Sequence, residues 1–158
     1  MNEADIQRAV NNALQKCRAE PGPLLEILHA VQSELGHVPA AAVPPIADAL
    51  NLSRAEVHGV VSFYHHFRGE APGTTVVQLC RAEACQSMNA RALEEHATRR
   101  LGVPCGETTL DGRVTLEAVY CLGNCACAPA MMVNGELHGR VTPARFDELV
   151  SSGSGSRS

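Results

Sequence analysis

Apolar residues recur at helical spacing through the first part of the chain. From Asp5 to about Arg18 they lie on one predicted helix face, and the Pro21–Pro23 segment ends this stretch. A second periodic run starts at Leu24 and predicts a helix that ends at Gly36. A third, shorter helix is predicted after Pro39, with apolar positions at Val43, Ile46, Ala47 and Leu50.

A capping box marks the start of a fourth predicted helix. In the run Ser53–Glu56 the serine hydroxyl can accept from the N–H three residues on, while the glutamate carboxylate reaches back to the serine N–H. The helix is predicted to pass through Val57 and continue toward Phe67. Together these segments predict an N-terminal helical bundle over residues 1–70.

The pattern changes after the Gly- and Pro-containing segment Arg68–Thr75. Apolar runs then predict strands at 76–79 and 113–119, with a helix at 90–101 between them. Each of these strands leads into a cysteine pair, which is predicted to lie in a loop. A strand, helix and strand in this order predict a parallel pair with a right-handed crossover. The second half of the chain is therefore of the α/β class.

The C-terminal part carries two local signals. Asn134-Gly135 predicts a tight hairpin turn within Met131–Leu137. Thr142-Pro143 supplies an N-cap and a first-turn proline for a last helix. The Ser- and Gly-rich segment Ser151–Ser158 is predicted to be a disordered tail. The predicted organisation is a helical domain, an α/β domain and a flexible tail, over residues 1–70, 71–150 and 151–158.

Composition excludes several classes of protein. The chain has 158 residues and 45% hydrophobic residues, enough for a buried core. A formal net charge of -4 and 3% aromatic residues argue against a nucleic-acid-binding protein. No apolar stretch approaches the roughly 20 residues that span a bilayer. The acidic N-terminus lacks the features of a secretory signal, so a cytoplasmic protein is predicted.

Seven cysteines without a predicted signal peptide favour metal or cluster ligation over a disulfide framework. Two spaced pairs follow the predicted strands, Cys80-x4-Cys85 and Cys121-x3-Cys125. Thiolates from two loops can converge, and four thiolates are what a [2Fe–2S] cluster needs. Structural zinc sites usually have tighter Cys-x2-Cys-type spacing. From spacing alone, a zinc site or four reduced thiols stay open as alternatives.

The sequence around the second pair carries a resemblance to a known family. The run Cys121–Cys125, followed by Ala128-Pro129, resembles the second cluster motif of the 24 kDa subunit family of NADH:quinone oxidoreductase. The segment Gly59–Tyr64 with Phe67 is similar to the helical region of that family, and the similarity covers most of the chain. Within the family, the segment Cys80–Cys85 most resembles the gamma subunit of NAD-dependent molybdenum formate dehydrogenase.

The resemblance implies a thioredoxin-like [2Fe–2S] ferredoxin domain behind the helical bundle. It implies one cluster with four ligands, Cys80, Cys85, Cys121 and Cys125. The chain would be a non-catalytic electron-transfer subunit of a cytoplasmic NAD-dependent formate dehydrogenase. Its expected partners are a subunit with FMN, the NAD site and a [4Fe–4S] cluster, and a molybdenum-containing catalytic subunit. The sequence has no G-x-G-x-x-G after a strand and no P-loop, which agrees with NAD chemistry on another chain.

The sequence also permits other interpretations, and two of its residues differ from the family pattern. The chain could be the equivalent subunit of NADH:quinone oxidoreductase or of an NAD-reducing hydrogenase, a structural zinc module, or a free-standing ferredoxin. Asn89 stands where many relatives have glycine, and Cys127 adds a thiol beside the second pair. Cys17, Cys105 and Cys127 are interpreted as spectators, since free cysteine packs as a small apolar residue.

Overall fold

A computed structural model describes residues 2–153, and the chain divides into two compact units, one up to Ala71 and one from Pro72 onward. The first unit is helical, with a 3₁₀ turn at Ala40–Ala42. Its helices are α1 (Glu3–Cys17), α2 (Leu24–Leu35), α3 (Val43–Leu50) and α4 (Arg54–Phe63). The predicted helices of this part of the chain are therefore confirmed.

Helix ends in the first unit follow local side-chain chemistry. Gly36 closes α2 in the left-handed conformation, at φ 82°, as predicted. The capping box is formed: the Ser53 hydroxyl accepts from the Glu56 N–H at 3.2 Å, and the Glu56 carboxylate accepts from the Ser53 N–H at 2.8 Å. However, α4 ends at Phe63 rather than near Phe67, because Tyr64 adopts an extended conformation and a turn folds Phe67 into the core.

A buried glutamine ties the segment after α4 to α2. The Gln32 side-chain amide donates to the His66 carbonyl at 2.8 Å, and its oxygen accepts from the Arg68 N–H at 2.7 Å. Both ends of the amide are thus paired, which offsets the cost of burying a polar group. The surrounding core contains apolar residues from all four helices, among them Val10, Ile27, Leu28, Val31, Ile46 and Val57.

The second unit is a five-stranded sheet in the order β2-β3-β1-β4-β5. Strands β1 and β3 pair in parallel and the other neighbours are antiparallel. The strands are β1 (Thr75–Cys80), β2 (Glu107–Thr108), β3 (Val114–Val119), β4 (Met131–Val133) and β5 (Glu136–His138). The helices are α5 (Glu83–Ser87), α6 (Ala90–Leu101) and α7 (Pro143–Gly153). The predicted parallel pair, hairpin and two longer helices are confirmed.

Two elements of this unit differ from the predicted pattern. Strand β2 and helix α5 were not predicted, because segments of two and five residues are too short to show a period. The first cysteine pair is therefore not wholly in a loop, since Cys85 lies within α5. Helix α7 extends to Gly153, so the start of the predicted tail is helical, and residues 154–158 lie outside the described residues.

Helices α6 and α7 pack on the sheet over a core that includes Val77, Leu93, Leu116, Met131 and Phe146. A smaller buried cluster surrounds the first cysteine pair and includes Ala90, Ala128 and Ala130. Within residues 2–153, no helix has both the length and the apolar character needed to cross a bilayer. The position of the cysteine pairs beside this smaller cluster defines the candidate site.

Candidate metal centre

The parallel pairing of β1 with β3 brings the two cysteine pairs to one edge of the sheet. Cys80, the last residue of β1, is in register with Val119, the last residue of β3. The Arg81 N–H donates to the Val119 carbonyl at 2.7 Å and extends the pairing past the strand ends. Because parallel strands run in the same direction, the segments that follow them leave from the same edge. Cys121 therefore enters its loop beside Cys80.

The structure brings all four predicted residues together as two neighbouring pairs. The Cys121 and Cys125 sulfurs are 3.7 Å apart, and the Cys80 and Cys85 thiols are hydrogen-bonded to each other. The Cys125 thiol interacts electrostatically with the Cys80 and Cys85 thiols across the pairs. Cys80 and Cys85 are buried, with 3% and 1% exposure, whereas Cys121 and Cys125 are exposed. One side of the site thus faces the protein and the other faces solvent.

The distance within the exposed pair fits two thiolates on one tetrahedral metal ion. With metal–sulfur bonds of about 2.3 Å, tetrahedral geometry places two ligand sulfurs about 3.8 Å apart. The Cys121 and Cys125 sulfurs meet this condition at 3.7 Å. Among residues 2–153, no three His, Cys, Asp or Glu side chains surround a single metal-ion position. The donor set, four thiols in two pairs, fits the four-thiolate ligation of a binuclear cluster.

Backbone N–H groups point at the sulfurs. The Gly123 N–H donates to the Cys121 sulfur at 3.4 Å. The Cys80 sulfur accepts from N–H groups of both loops, and the Cys85 sulfur accepts from the Ala130 N–H. Such hydrogen bonds stabilise thiolates and tune the reduction potential of a bound cluster.

The acidities of the thiols follow from these contacts. Burial acts to raise the pKa of Cys80, but N–H donors from Ala82, Leu122 and Cys121, with the Cys85 thiol, outweigh it and lower the pKa. Burial raises the pKa of Cys85. The hydrogen bond between the Cys125 and Cys121 thiols raises the pKa of Cys125. A metal binds the thiolate form of cysteine, so the N–H donors that lower the pKa of Cys80 favour the form that acts as a ligand.

The second cysteine loop has an unusual backbone. Cys121 has a φ of 106°, a conformation that residues with a side chain rarely adopt, and Gly123 has a φ of 75°. Gly139 lies directly against this loop: a Cβ at Gly139 would be 2.6 Å from the Cys127 Cβ and 2.8 Å from the Asn124 amide nitrogen. The contact with Gly139 was not found from the sequence, because no local pattern links residues so far apart.

The remaining cysteines and Asn89 have clear positions. Cys17 packs against the core of the first unit, and Cys105 packs against the core of the second. Cys127 is half-buried at the end of a 3₁₀ turn that begins at Cys125. Asn89 is left-handed, at φ 67°, and precedes α6. Asparagine and glycine both tolerate this conformation, so Asn89 fits at a position where glycine is expected.

A groove of about 550 Å³ lies elsewhere on the second unit. It is lined by the end of α6, the turn between β2 and β3, and α7. Two of its arginines are paired within the groove, Arg100 with Asp147 at 3.5 Å and Arg113 with Asp111 at 2.6 Å. No cysteine lines this groove, so it does not include the candidate ligands.

Comparisons with known proteins agree with this geometry. Residues 10–153 match the family described as thioredoxin-like [2Fe-2S] ferredoxin. A subunit of the NADH-quinone oxidoreductase of Pseudomonas aeruginosa is 36% identical over 128 residues, which cover 81% of this chain and 77% of that protein. The HndA subunit of the NADP-reducing hydrogenase of Solidesulfovibrio fructosivorans is 30% identical over 146 residues, covering 92% of this chain and 85% of that protein.

A solved structure shows the same fold. The air-oxidised NAD+-reducing [NiFe]-hydrogenase matches with a TM-score of 0.70 and 28% sequence identity. The match covers 82% of this chain but only 22% of the hydrogenase chain. The predicted architecture, N-terminal helices followed by a thioredoxin-like ferredoxin domain, is therefore confirmed, as is the resemblance to the 24 kDa subunit family.

Proposed function

Because this chain belongs to the thioredoxin-like [2Fe–2S] ferredoxin family, we propose that it is an electron-transfer subunit of an NAD-linked oxidoreductase complex. The ligands of its single cluster are Cys80, Cys85, Cys121 and Cys125. The observation that carries this proposal is the convergence of these four sulfurs from two loops at one edge of the sheet. Relatives named as subunits of NADH-quinone oxidoreductase and of a hydrogenase support the assignment to such a complex.

A bound [2Fe–2S] cluster supplies one-electron chemistry. The residues of this chain prepare the site for it. The thiolates provide the ligands, and the N–H groups of Gly123, Ala82 and Ala130 stabilise negative charge on the sulfurs. The buried pair excludes water from one side, and the exposed pair leaves the other side open for electron exchange. A flavin is required to couple the two-electron hydride transfer of NAD to a one-electron cluster, and we place that flavin on the partner subunit.

Within this class we propose the gamma-type subunit of a cytoplasmic NAD-dependent formate dehydrogenase. The segment Cys80–Cys85 supports it by its resemblance to that subunit. The partners are then a subunit with FMN, NAD and a [4Fe–4S] cluster, and a molybdenum-containing catalytic subunit. The equivalent subunit of NADH:quinone oxidoreductase or of an NAD-reducing hydrogenase is the second candidate, favoured by the names of the relatives. Co-purification decides: a molybdenum subunit supports the first candidate and a nickel subunit supports a hydrogenase.

Metal analysis of the purified chain tests the cofactor. We expect about two irons and two sulfides per chain, and an EPR signal after one-electron reduction, as a [2Fe–2S] cluster requires. A colourless protein with bound zinc would instead identify a structural zinc module.

The ligand assignment is tested by a matched pair of substitutions. Cys121→Ser should lower the iron content and alter the visible spectrum, because it removes a ligand sulfur. Cys105→Ser should leave both unchanged, because Cys105 packs against the core of the second unit and is not one of the four proposed ligands. Absorption spectra and iron content measure both effects. An equal loss of iron in the two variants would show that the ligand set is wrong.

A further inference from the structure

The ligand segments contain one residue of each charge. In the ligand segments Cys80–Cys85 and Cys121–Cys125, Arg81 is the only basic residue and Glu83 the only acidic one. Arg81 directly follows Cys80, and its backbone is held by the hydrogen bond from its N–H to the Val119 carbonyl. The sheet therefore fixes the position of the Arg81 backbone beside Cys80.

The Arg81 side chain is held by a carboxylate on another element. The Arg81 Nε lies 3.1 Å from the Glu94 Oε2, and Glu94 lies on α6. The two side chains are 39% and 23% exposed, so the ion pair is partly shielded from solvent. Cys105 meets the same carboxylate: burial, and then the charge of Glu94, raise the pKa of the Cys105 thiol. The Glu94 carboxylate thus contacts both Arg81 and Cys105.

We propose that the Arg81–Glu94 ion pair sets the local charge at the cluster and thereby tunes its reduction potential. This inference rests on the proposed function. Reduction adds one electron and makes the cluster one unit more negative, and the net charge around a cluster is one determinant of its potential. The Arg81 guanidinium favours the reduced form, and the Glu94 carboxylate opposes that effect while it holds the guanidinium in place. Glu94 is therefore a positioning residue for Arg81.

The test is an EPR-monitored redox titration of the full chain carrying its cluster. Glu94→Gln should raise the midpoint potential, because it leaves the arginine charge uncompensated. Arg81→Gln should lower it. We expect each change to alter the ratio of reduced to oxidised cluster at a fixed solution potential by at least threefold. For a one-electron couple this corresponds to a shift in midpoint potential of about 28 mV, at 59 mV per tenfold change. A merely structural role would not shift the potential in opposite directions.

Two further variants serve as controls. Glu95→Gln makes the same charge change at an exposed neighbour on α6 and should leave the potential unchanged. Arg81→Lys keeps the charge and should stay near the wild-type potential even if Arg81→Gln loads poorly. The comparison uses chains loaded with the cluster. The inference would be overturned if Glu94→Gln shifted the midpoint potential no more than Glu95→Gln does, and if Arg81→Lys shifted it by the same amount as Arg81→Gln does. A wild-type chain that binds no cluster would contradict the proposed function instead.

Discussion

Gly139 allows the chain to pack closely against the second cysteine loop, because it has no side chain. A Cβ at this position would overlap the Cys127 Cβ and approach the Asn124 amide. Gly139→Ala should therefore displace the loop that carries Cys125 and destabilise the second unit by about 1–3 kcal/mol, as overpacking does. Urea unfolding and the visible spectrum of the loaded chain measure the two effects.

Gly59→Ala is the matched control. Gly59 lies inside α4, and a Cβ there would meet no atom within 4 Å. The same substitution should stabilise the first unit by about 0.5–1 kcal/mol, because glycine costs conformational entropy in a helix interior. Equal effects of the two substitutions would show that close packing at Gly139 does not matter.

Residue type and spacing were enough to identify the candidate ligands, since thiols are the expected donors for iron–sulfur clusters. Other residues of the site carried no such signal. The Ala130 N–H donates to the Cys85 sulfur, and Gly139 packs against the second cysteine loop. Neither an alanine nor a glycine in the sequence indicates such a contact. The contribution of Ala130 comes from its backbone, which the sequence pattern does not report.

At the scale of single elements, the capping box of α4 gives a clear prediction. Ser53→Ala removes the hydroxyl that accepts from the Glu56 N–H and should cost about 1 kcal/mol in the free energy of unfolding. Ser62→Ala is the control on the same helix. The Ser62 hydroxyl bonds back to the His58 carbonyl, an arrangement that slightly disfavours helix, so this variant should be neutral or more stable. Urea unfolding at neutral pH compares the two.

The capping box also predicts that the free energy of unfolding depends on pH. The N–H of Ser53, and then its hydroxyl, lower the pKa of the Glu56 carboxyl. A lowered folded-state pKa gives stability that is complete above the unfolded value, about 4.3 for glutamate, and is lost as the pH falls through the folded value. The difference in unfolding free energy between wild type and Glu56→Ala should therefore be largest near neutral pH and shrink in acid. A difference independent of pH would contradict this account.

Elements fixed by neighbouring residues were predicted well. The box at Ser53–Glu56 and the turn at Asn134-Gly135 both depend on contacts within a few residues. The end of α4 was predicted poorly, because the apolar pattern continues to Phe67 while the chain turns at Tyr64 to bury that ring. Helix α5 was missed because it is shorter than two helical turns.

At the scale of the whole molecule, the two units have separate cores. All four candidate ligands and the N–H groups that contact their sulfurs lie in the second unit. A fragment that starts at Pro72 should therefore fold and show the same cluster spectrum as the full chain. Absorption and EPR spectra of the reconstituted fragment measure this. A fragment that folds by circular dichroism but binds no iron would show that the helical unit contributes to the site.

The convergence of the two cysteine pairs could not be predicted from spacing, because it depends on strands far apart in the sequence. The register of Cys80 with Val119 arises from the parallel pairing of β1 with β3. The order strand, helix, strand predicted that the two strands pair in parallel, but the sequence pattern does not give their register. Only the resemblance to a family indicated, before the structure, that the two cysteine pairs meet.

The register between β1 and β3 has a consequence for changes in chain length. A shift by one residue would turn each side chain to the opposite face of the sheet and separate the sulfur pairs. Insertions between Cys85 and Cys121, by contrast, leave the register intact when they fall in the exposed turn around Leu110. That turn is therefore the place where a tag or reporter peptide can be inserted while the four sulfurs keep their spacing.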